Sequence, residues 1–440
     1  MEIWALIMLA VIIFALLLGY PVAFTLGGVA LLFGTIFLGL PFFDLLPLRI
    51  WGIMTNFTLL AVPLFIFMGI ILEKSGLAEE LIEVMGLLLG RLGGGLAISV
   101  VIVGGMLAAT TGVVAASVVT MGIISLPILL KNNYSPTLAT GVIAASGTLG
   151  QIIPPSIVLI LLADIIGVPA GSLFIGTIIP GIMLITIYIL YIMFRAWLNP
   201  EIAPKLVRDI SNKKFVIRFI NSVIPTLLII MIVLGSIIFG IATPTESAAF
   251  GAIAALILGI LHKRLTVEKL TKSIQHTTRL TSMVFLILIG ATAFGLVFRG
   301  MGGDHLVHEI LTQLPGGQWG FIVVSLLLIF ILGFFLDFLE ICFIVVPILA
   351  PIAQFFDINL LWFAVLIAVN LQTSFLTPPF GFALFYLKAV APPTISIDII
   401  YRGIIPFVIL QLIVLMLLTI YPQIILWLPN LIDHWLNFSV

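Results

Sequence analysis

The chain has 440 residues, 62% hydrophobic and 8% charged, with 18 Lys and Arg balanced by 18 Asp and Glu. Soluble domains carry roughly 25% charged residues, so a mean hydropathy of +1.37 excludes a mostly solvated protein. The neutral balance, with no block of like charge, leaves no footprint for nucleic acid. The single cysteine, Cys342, rules out an intrachain disulfide and suggests no metal cluster.

The N-terminus, Met1-Glu-Ile-Trp-Ala, lacks the basic stretch and small-residue cleavage site of a signal peptide, and the first basic residue is Arg49. The first apolar run is therefore expected to be a permanent helix. Residues 3–43, 92–130, 132–163, 165–194, 219–245, 310–336 and 358–387 contain no Asp, Glu, Lys or Arg. With roughly 20 apolar residues per span, about 10–12 crossing segments are expected, some of them broken or re-entrant.

In chain order, the breaker Gly19-Tyr-Pro separates two apolar runs. The stretch from Gly93 to Lys131 is long for one span and short for two; its Gly104–Gly122 part is studded with small and hydroxyl residues. A re-entrant hairpin fits that length, as does a small-residue packing face. Next comes Ser146-Gly-Thr-Leu-Gly-Gln-Ile-Ile-Pro-Pro-Ser156, a proline pair in charge-free sequence. Two adjacent prolines break a helix, and in a bilayer the freed carbonyls survive only inside protein or beside a polar cavity.

Six of the 18 basic residues fall in 195–218 and five in 263–279, which the positive-inside rule places in the cytoplasm. Two helices joined by an outside turn, Gly240-Ile-Ala-Thr-Pro-Thr-Glu246, fit between them. Further on, Gly333-Phe-Phe-Leu-Asp-Phe-Leu-Glu340 carries two carboxylates, and Asn370-Leu-Gln-Thr-Ser-Phe-Leu-Thr-Pro-Pro-Phe380 is a second proline-pair break. The Trp residues 4, 51, 197, 319, 362, 427 and 435 read as an interfacial belt. His305 and His308 have metal-like spacing without a third ligand.

The proline pairs lie 224 residues apart; Gly69 and Gly76 match Gly295 and Gly302 at an offset of 226, and Leu126-Pro-Ile-Leu matches Val346-Pro-Ile-Leu at 220. Ordered matches at nearly constant offset indicate duplication. The expected organisation is a first repeat over 1–195 with its broken helix at 146–156, a basic cytoplasmic linker over 196–219, and a second repeat over 220–440 with its broken helix at 370–380. The fold class is all-α: a polytopic membrane protein with two inverted repeats, re-entrant hairpins and broken helices. Paired breaks of this kind mark the central site of a secondary transporter. No P-loop, HExxH or paired-Asp constellation is present to suggest an enzyme or an ATP-driven pump, and no filter motif suggests a channel.

These residues resemble the large membrane subunit of TRAP (tripartite ATP-independent periplasmic) transporters, the DctM-like family. The resemblance rests on Ala145–Ser156, Phe335-Leu-Asp337 running into Val346–Pro351, Leu376-Thr-Pro-Pro-Phe-Gly381 and Thr243-Pro-Thr-Glu246, and it covers nearly the whole chain. It implies a scaffold and a moving transport domain of elevator type, and sodium-coupled uptake of a small organic anion across the bacterial inner membrane. It also implies delivery by a periplasmic substrate-binding protein and a small four-helix membrane subunit as a separate chain. One departure is Thr110-Thr-Gly-Val-Val114 where many members have a Ser-Gly-Ser cluster.

Sodium favours oxygen ligands, and broken helices expose carbonyls to a cation and N–H groups to an anion. The expected sodium ligands are Thr110, Gly112, Ser146, Gly147 and Thr148 in the first half, and Gly333, Thr373, Ser374 and Thr377 in the second. Asp337, Ser156, Thr111 and Ser117 are the expected substrate contacts; a carboxylate at the bilayer centre costs roughly 2.5–3.5 kcal/mol or more, which makes Asp337 the sharpest candidate. Against these stand bland alternatives: hydroxyls bonding their own helix carbonyls, Ser156 as an N-cap, and Asp337 as an acid at a helix end beside Glu340. Asp164 and Lys388, nine residues past each proline pair, are expected to snorkel or touch the scaffold. Glu246 is expected to be a first-turn acid, and Arg299 and His305 to face the outside.

Overall fold

A computed structural model describes residues 1–111, 114–205 and 212–438, with the side chains of 108–111, 212–216, 433 and 435–438 not described. Among the described residues there are 21 α-helices and no strand. The first half holds α1 (Glu2–Leu17), α2 (Val22–Phe37), α3 (Leu46–Met54), α4 (Ala61–Lys74), α5 (Leu77–Leu89), α6 (Gly95–Thr111), α7 (Val114–Lys131), α8 (Pro136–Thr148), α9 (Ile157–Ile166) and α10 (Ala170–Leu198). After the basic stretch come α11 (Asn212–Ile238), α12 (Pro244–Leu261), α13 (Val267–Gly300), α14 (Gly303–Thr312), α15 (Gln318–Leu332) and α16 (Phe338–Ile344). The chain ends with α17 (Val346–Phe355), α18 (Leu360–Leu376), α19 (Phe382–Val390), α20 (Ile397–Ile420) and α21 (Gln423–Phe438).

Six helices are long and apolar enough to cross a membrane, and up to eight spans result if two bent pairs each count as one. The rest of the expected 10–12 segments would come from shorter apolar helices, among them α9, α15 and α18, which end at a glycine or just before a proline pair.

Electrostatic pairs sort the helix ends. The acidic face of α5 meets the basic stretches: Glu83 pairs with Arg218 at 2.8 Å and Glu80 with Arg264 at 2.7 Å. Such half-exposed pairs are worth about 0–1 kcal/mol each, so they set register more than stability. At the other end of α13, which is about 50 Å long, Glu2 lies 3.4 Å from His305. Helix α1 therefore starts at the end opposite the basic start of α11. Each half also turns into a surface helix through a left-handed glycine: Gly76 at φ +71° before α5 and Gly302 at φ +78° before α14.

The helices pack as two groups. One joins α2 and α4 to α12 and α13; the other is built on α6–α10 and α15–α20. In the second group α8 and α20 cross backbone to backbone: a side chain on Gly141 would strike the Gly403 carbonyl, and one on Gly403 would strike Thr137 O and Gly141 N. Small residues permit this approach where no hydrophobic effect drives helices together. Trp362 departs from the expected aromatic belt: it is buried, and its indole N–H donates to Leu418 O at 2.9 Å.

Gly403→Val is expected to destabilise the protein by about 1–3 kcal/mol or more through overpacking. Gly28→Ala, where an added Cβ meets nothing within 4 Å, should be neutral or gain about 0.5–1 kcal/mol. Thermal melting in detergent compares the two.

Candidate functional site

Two interruptions lie at the centre of the second group. Helix α8 ends at Thr148, passes through a 3-10 turn at Leu149–Gln151 and a cis Pro154-Pro155 bond, and resumes as α9 from an extended Ser156. Helix α18 ends at Leu376, passes through an extended Thr377 and a cis Pro378-Pro379 bond, and resumes as α19 after Gly381. All residues from Leu138 to Thr148 and from Trp362 to Leu376 are buried, the condition that broken backbone in a bilayer demands. The first break is sealed, whereas the second is open at Pro379 and Phe380. There the Tyr401 hydroxyl donates to Pro379 O at 2.6 Å, satisfying a carbonyl the break would otherwise leave free.

Two helical hairpin-like elements close over the breaks, α6–α7 and α15–α17. Each packs on the broken helix that follows it, α6 and α7 on α8 and α15 on α18; each also packs on the far half of the other broken helix, α7 on α19 and α16–α17 on α9. Close approaches fix them. A Cβ on Gly104 would stand 2.6 Å from Ser146 Cβ, and one on Gly333 would stand 2.6 Å from Ser374 Cβ. A Cβ on Gly147 would likewise stand 2.5 Å from Val118 Cγ2 of α7. Gly104 was not among the expected site residues; its partner, a serine in the following helix, is visible only in three dimensions.

The expected sodium ligands of the second half, Gly333, Thr373, Ser374 and Thr377, come together at the end of α15 and the end of α18. In the first half Ser146, Gly147 and Thr148 gather against α6 and α7. The side chains of Thr110 and Thr111, and Gly112, lie outside the described residues. Ser117 is buried on α7. Every described hydroxyl of the predicted sodium set donates to its own helix: Ser146 to Ile143 O at 3.1 Å, Thr148 to Ala145 O at 2.9 Å, Thr373 to Val369 O at 2.8 Å, Ser374 to Leu371 O at 2.9 Å and Thr377 to Thr373 O at 2.7 Å. A hydroxyl has one proton and two lone pairs, so each is left with acceptor capacity alone. That suits a cation.

Asp337 is half-buried and is the N-cap of α16. Its Oδ1 accepts from Phe338 N at 2.7 Å, and Glu340 reaches back to accept from Asp337 N at 3.2 Å, a reciprocal capping box. The two carboxylates thus start the return arm of the second hairpin. Ser156 is the N-cap residue of α9 without a side-chain cap bond; its hydroxyl donates to Gln151 O at 3.1 Å and braces the first break. Ser156 and Asp337 share no hydrogen bond. Glu246 completes a second capping box with Thr243, and Lys388 donates to Ile395 O at 2.5 Å.

A cleft of about 780 Å³ separates the two helix groups on the side of Glu2 and His305. It runs along α13 from Arg299 inward to Leu288, with α16–α17 as its facing wall. Asn56 donates across it to Asp164 at 2.7 Å. Arg49 and Arg299 line the same cleft and form no ion pair among the described residues.

A family model described as the tripartite ATP-independent periplasmic transporter, DctM component, matches residues 9–424. The chain belongs to this family. It is 29% identical over 399 residues to the C4-dicarboxylate TRAP transporter large permease protein DctM of Pseudomonas aeruginosa, covering 90% of each chain. It is 30% identical over 419 residues to the sialic acid TRAP transporter large permease protein SiaM of Vibrio cholerae, covering 94% of this chain and 95% of that one. Among solved structures, the YdaH transporter of Alcanivorax borkumensis superposes with a TM-score of 0.62 at 15% identity, covering 85% of this chain and 87% of that one, which shows the fold alone. The chain is therefore a multi-pass transporter permease subunit of the inner membrane and not an enzyme. Permeases of the family work with a small membrane subunit and a periplasmic binding protein.

Asp337→Asn is expected to keep the fold, since Asn caps as well as Asp, whereas Asp337→Ala should lose about 1 kcal/mol of stability. Comparing melting curves with uptake for both variants separates the cap from the charge: uptake lost in Asp337→Asn at unchanged melting temperature assigns the charge to transport.

Proposed function

We propose that this permease subunit takes up a small organic anion, driven by sodium, by movement of one helix group against the other. The observation that carries the reading is the pair of broken helices whose hydroxyls, each donating to its own helix, present only lone pairs at the breaks. Such sites accept a hard cation. Names of relatives add the substrate class: one carries C4-dicarboxylates and another sialic acid, both anions.

On this reading the α1–α5 and α11–α14 groups form the scaffold. The α6–α10 and α15–α20 groups form the transport domain, from two repeats (1–195 and 220–440, joined by 196–219) that run in opposite directions. The opposite starting ends of α1 and α11 support that inversion. Sodium ions occupy the two breaks through Ser146, Gly147 and Thr148, and through Gly333, Thr373, Ser374 and Thr377. The anion then binds between the hairpin tips, beside Asp337, Thr111 and Ser117, while Ser156 braces the first break. A periplasmic binding protein supplies the anion, and a small four-helix subunit in a separate chain completes the complex. Because a ligand shifts an equilibrium only by its differential affinity, movement must be favoured only when ion and anion are both bound.

The cleft marks the seam along which the two groups slide, and the Asn56–Asp164 bond spans it. Uptake into proteoliposomes containing this chain, its small subunit and the binding protein should require an inward sodium gradient. Uptake indifferent to both sodium and the binding protein overturns the reading. A cleavable thiol crosslink between Asn56→Cys and Asp164→Cys is expected to reduce uptake more than tenfold and to release it on reduction; the single native cysteine, Cys342, is buried. Full uptake with the crosslink in place would show that the groups do not slide at this seam.

A further inference from the structure

Two glutamines in the break segments are fully buried, Gln151 at 0% exposure and Gln372 at 0%. Neither the Nε2 nor the Oε1 of either side chain meets a hydrogen-bonding partner in the protein. Gln151 ends the 3-10 turn of the first break, and Gln372 lies on α18 one residue before Thr373. The turn that carries Gln151 packs against α18, so the two amides sit on adjoining elements at the centre of the transport group. A buried primary amide left unpaired is a standing cost, and an apolar side chain of similar length would remove it. Its persistence at two such positions indicates a partner that comes and goes.

The donor and acceptor inventory says which partner. Ser146, Thr148, Ser156, Thr373, Ser374 and Thr377 each spend their one proton on a backbone carbonyl. Asp337 and Glu340, when ionised, can only accept. The polar lining of both breaks is therefore rich in acceptors and suited to a cation. An organic anion needs donors, and a primary amide has two N–H groups. Gln151 and Gln372 are the side chains in the break segments with both amide N–H groups uncommitted, whereas Asn370 spends one of its two on Leu326 O at 2.7 Å.

We propose that Gln151 and Gln372 bind the substrate's anionic group, donating Nε2–H to its carboxylate oxygens when the hairpins part. This rests on the anion-uptake reading above and deepens it. The α6 and α7 arms cover the Gln151 turn, so parting of the first hairpin uncovers that amide.

The test uses Gln151→Met and Gln372→Met, singly and together, in the permease assembled with its small subunit and binding protein in proteoliposomes. Carbon-14 succinate and N-acetylneuraminate serve as probes, chosen from the anion classes that relatives carry. The expected result is at least a tenfold rise in KM, or loss of uptake, for whichever probe the wild type carries. Melting temperature should equal or exceed that of wild type, and the sodium-induced rise in melting temperature should persist. An unchanged KM overturns the assignment, and so does a fall in melting temperature with loss of the sodium effect, which marks a structural role. A wild type that carries neither probe but takes up a cation or neutral solute overturns the anion reading itself and this inference with it.

Discussion

A backbone carbonyl freed by proline inside a bilayer has no water to turn to, and the arrangement of this protein follows from where it puts such carbonyls. Both breaks follow helix segments that are buried throughout, Leu138–Thr148 and Trp362–Leu376. Coverage requires neighbours, and the α6–α7 and α15–α17 hairpins supply them. Breaks and hairpins therefore depend on one another, and the interlock of α7 with α19 and of α16–α17 with α9 makes the four elements a single unit. Glycine permits the closest contacts, at Gly104 against Ser146 and Gly333 against Ser374. Any larger residue would push a hairpin arm off the break it covers.

The same constraint divides the molecule. Elements that carry breaks must pack against each other, and the remaining helices meet them chiefly through α6, which packs on α4 and α5, and through α16, which packs on α13. Among the described residues, polar side-chain bonds between the groups include Asn56 with Asp164 at one side, and Thr120 with Glu73 on α4. On the proposed reading these bonds, each worth about 0.5–1.5 kcal/mol net, would be exchanged as the groups slide.

Much of this was legible in the sequence because its signals are local. Proline pairs, charge-free runs and the clustering of basic residues need no knowledge of tertiary contacts. They locate the breaks at 146–156 and 370–380 and the basic stretches that α5 later meets. The pattern Asp337-x-x-Glu340 also contains a capping box, a signature read here only after the geometry placed both acids at the start of α16. What the sequence does not contain is adjacency. Gly104 is one small residue among many until Ser146 is seen against it, and Asp164 is one more acid at a helix end until Asn56, 108 residues earlier, donates to it. Gln151 and Gln372 sit in the two proline-pair segments, yet a glutamine is ordinary until both its amide atoms prove to be buried without partners.

Asp337 poses a problem for any anion site, since a carboxylate beside an anionic substrate is repulsive. The capping geometry reduces it. Oδ1 accepts a backbone N–H at the start of α16, and the charge faces the positive end of a helix. Part of its field is thereby compensated before any substrate arrives, and sodium at the adjoining Ser374–Thr377 segment would compensate more. On the proposed reading the order of binding follows from this balance: without a cation the charge of Asp337, with Glu340 beside it, opposes the anion, and each bound sodium offsets one negative charge. A cation, an anion and a capped acid make a far cheaper cargo to move through a low-dielectric layer than either ion alone, because each unpaired charge there carries its own desolvation cost. On that reading coupling needs no dedicated relay between the two breaks. It would follow from the electrostatics of placing acceptors, donors and the acids Asp337 and Glu340 on adjoining elements.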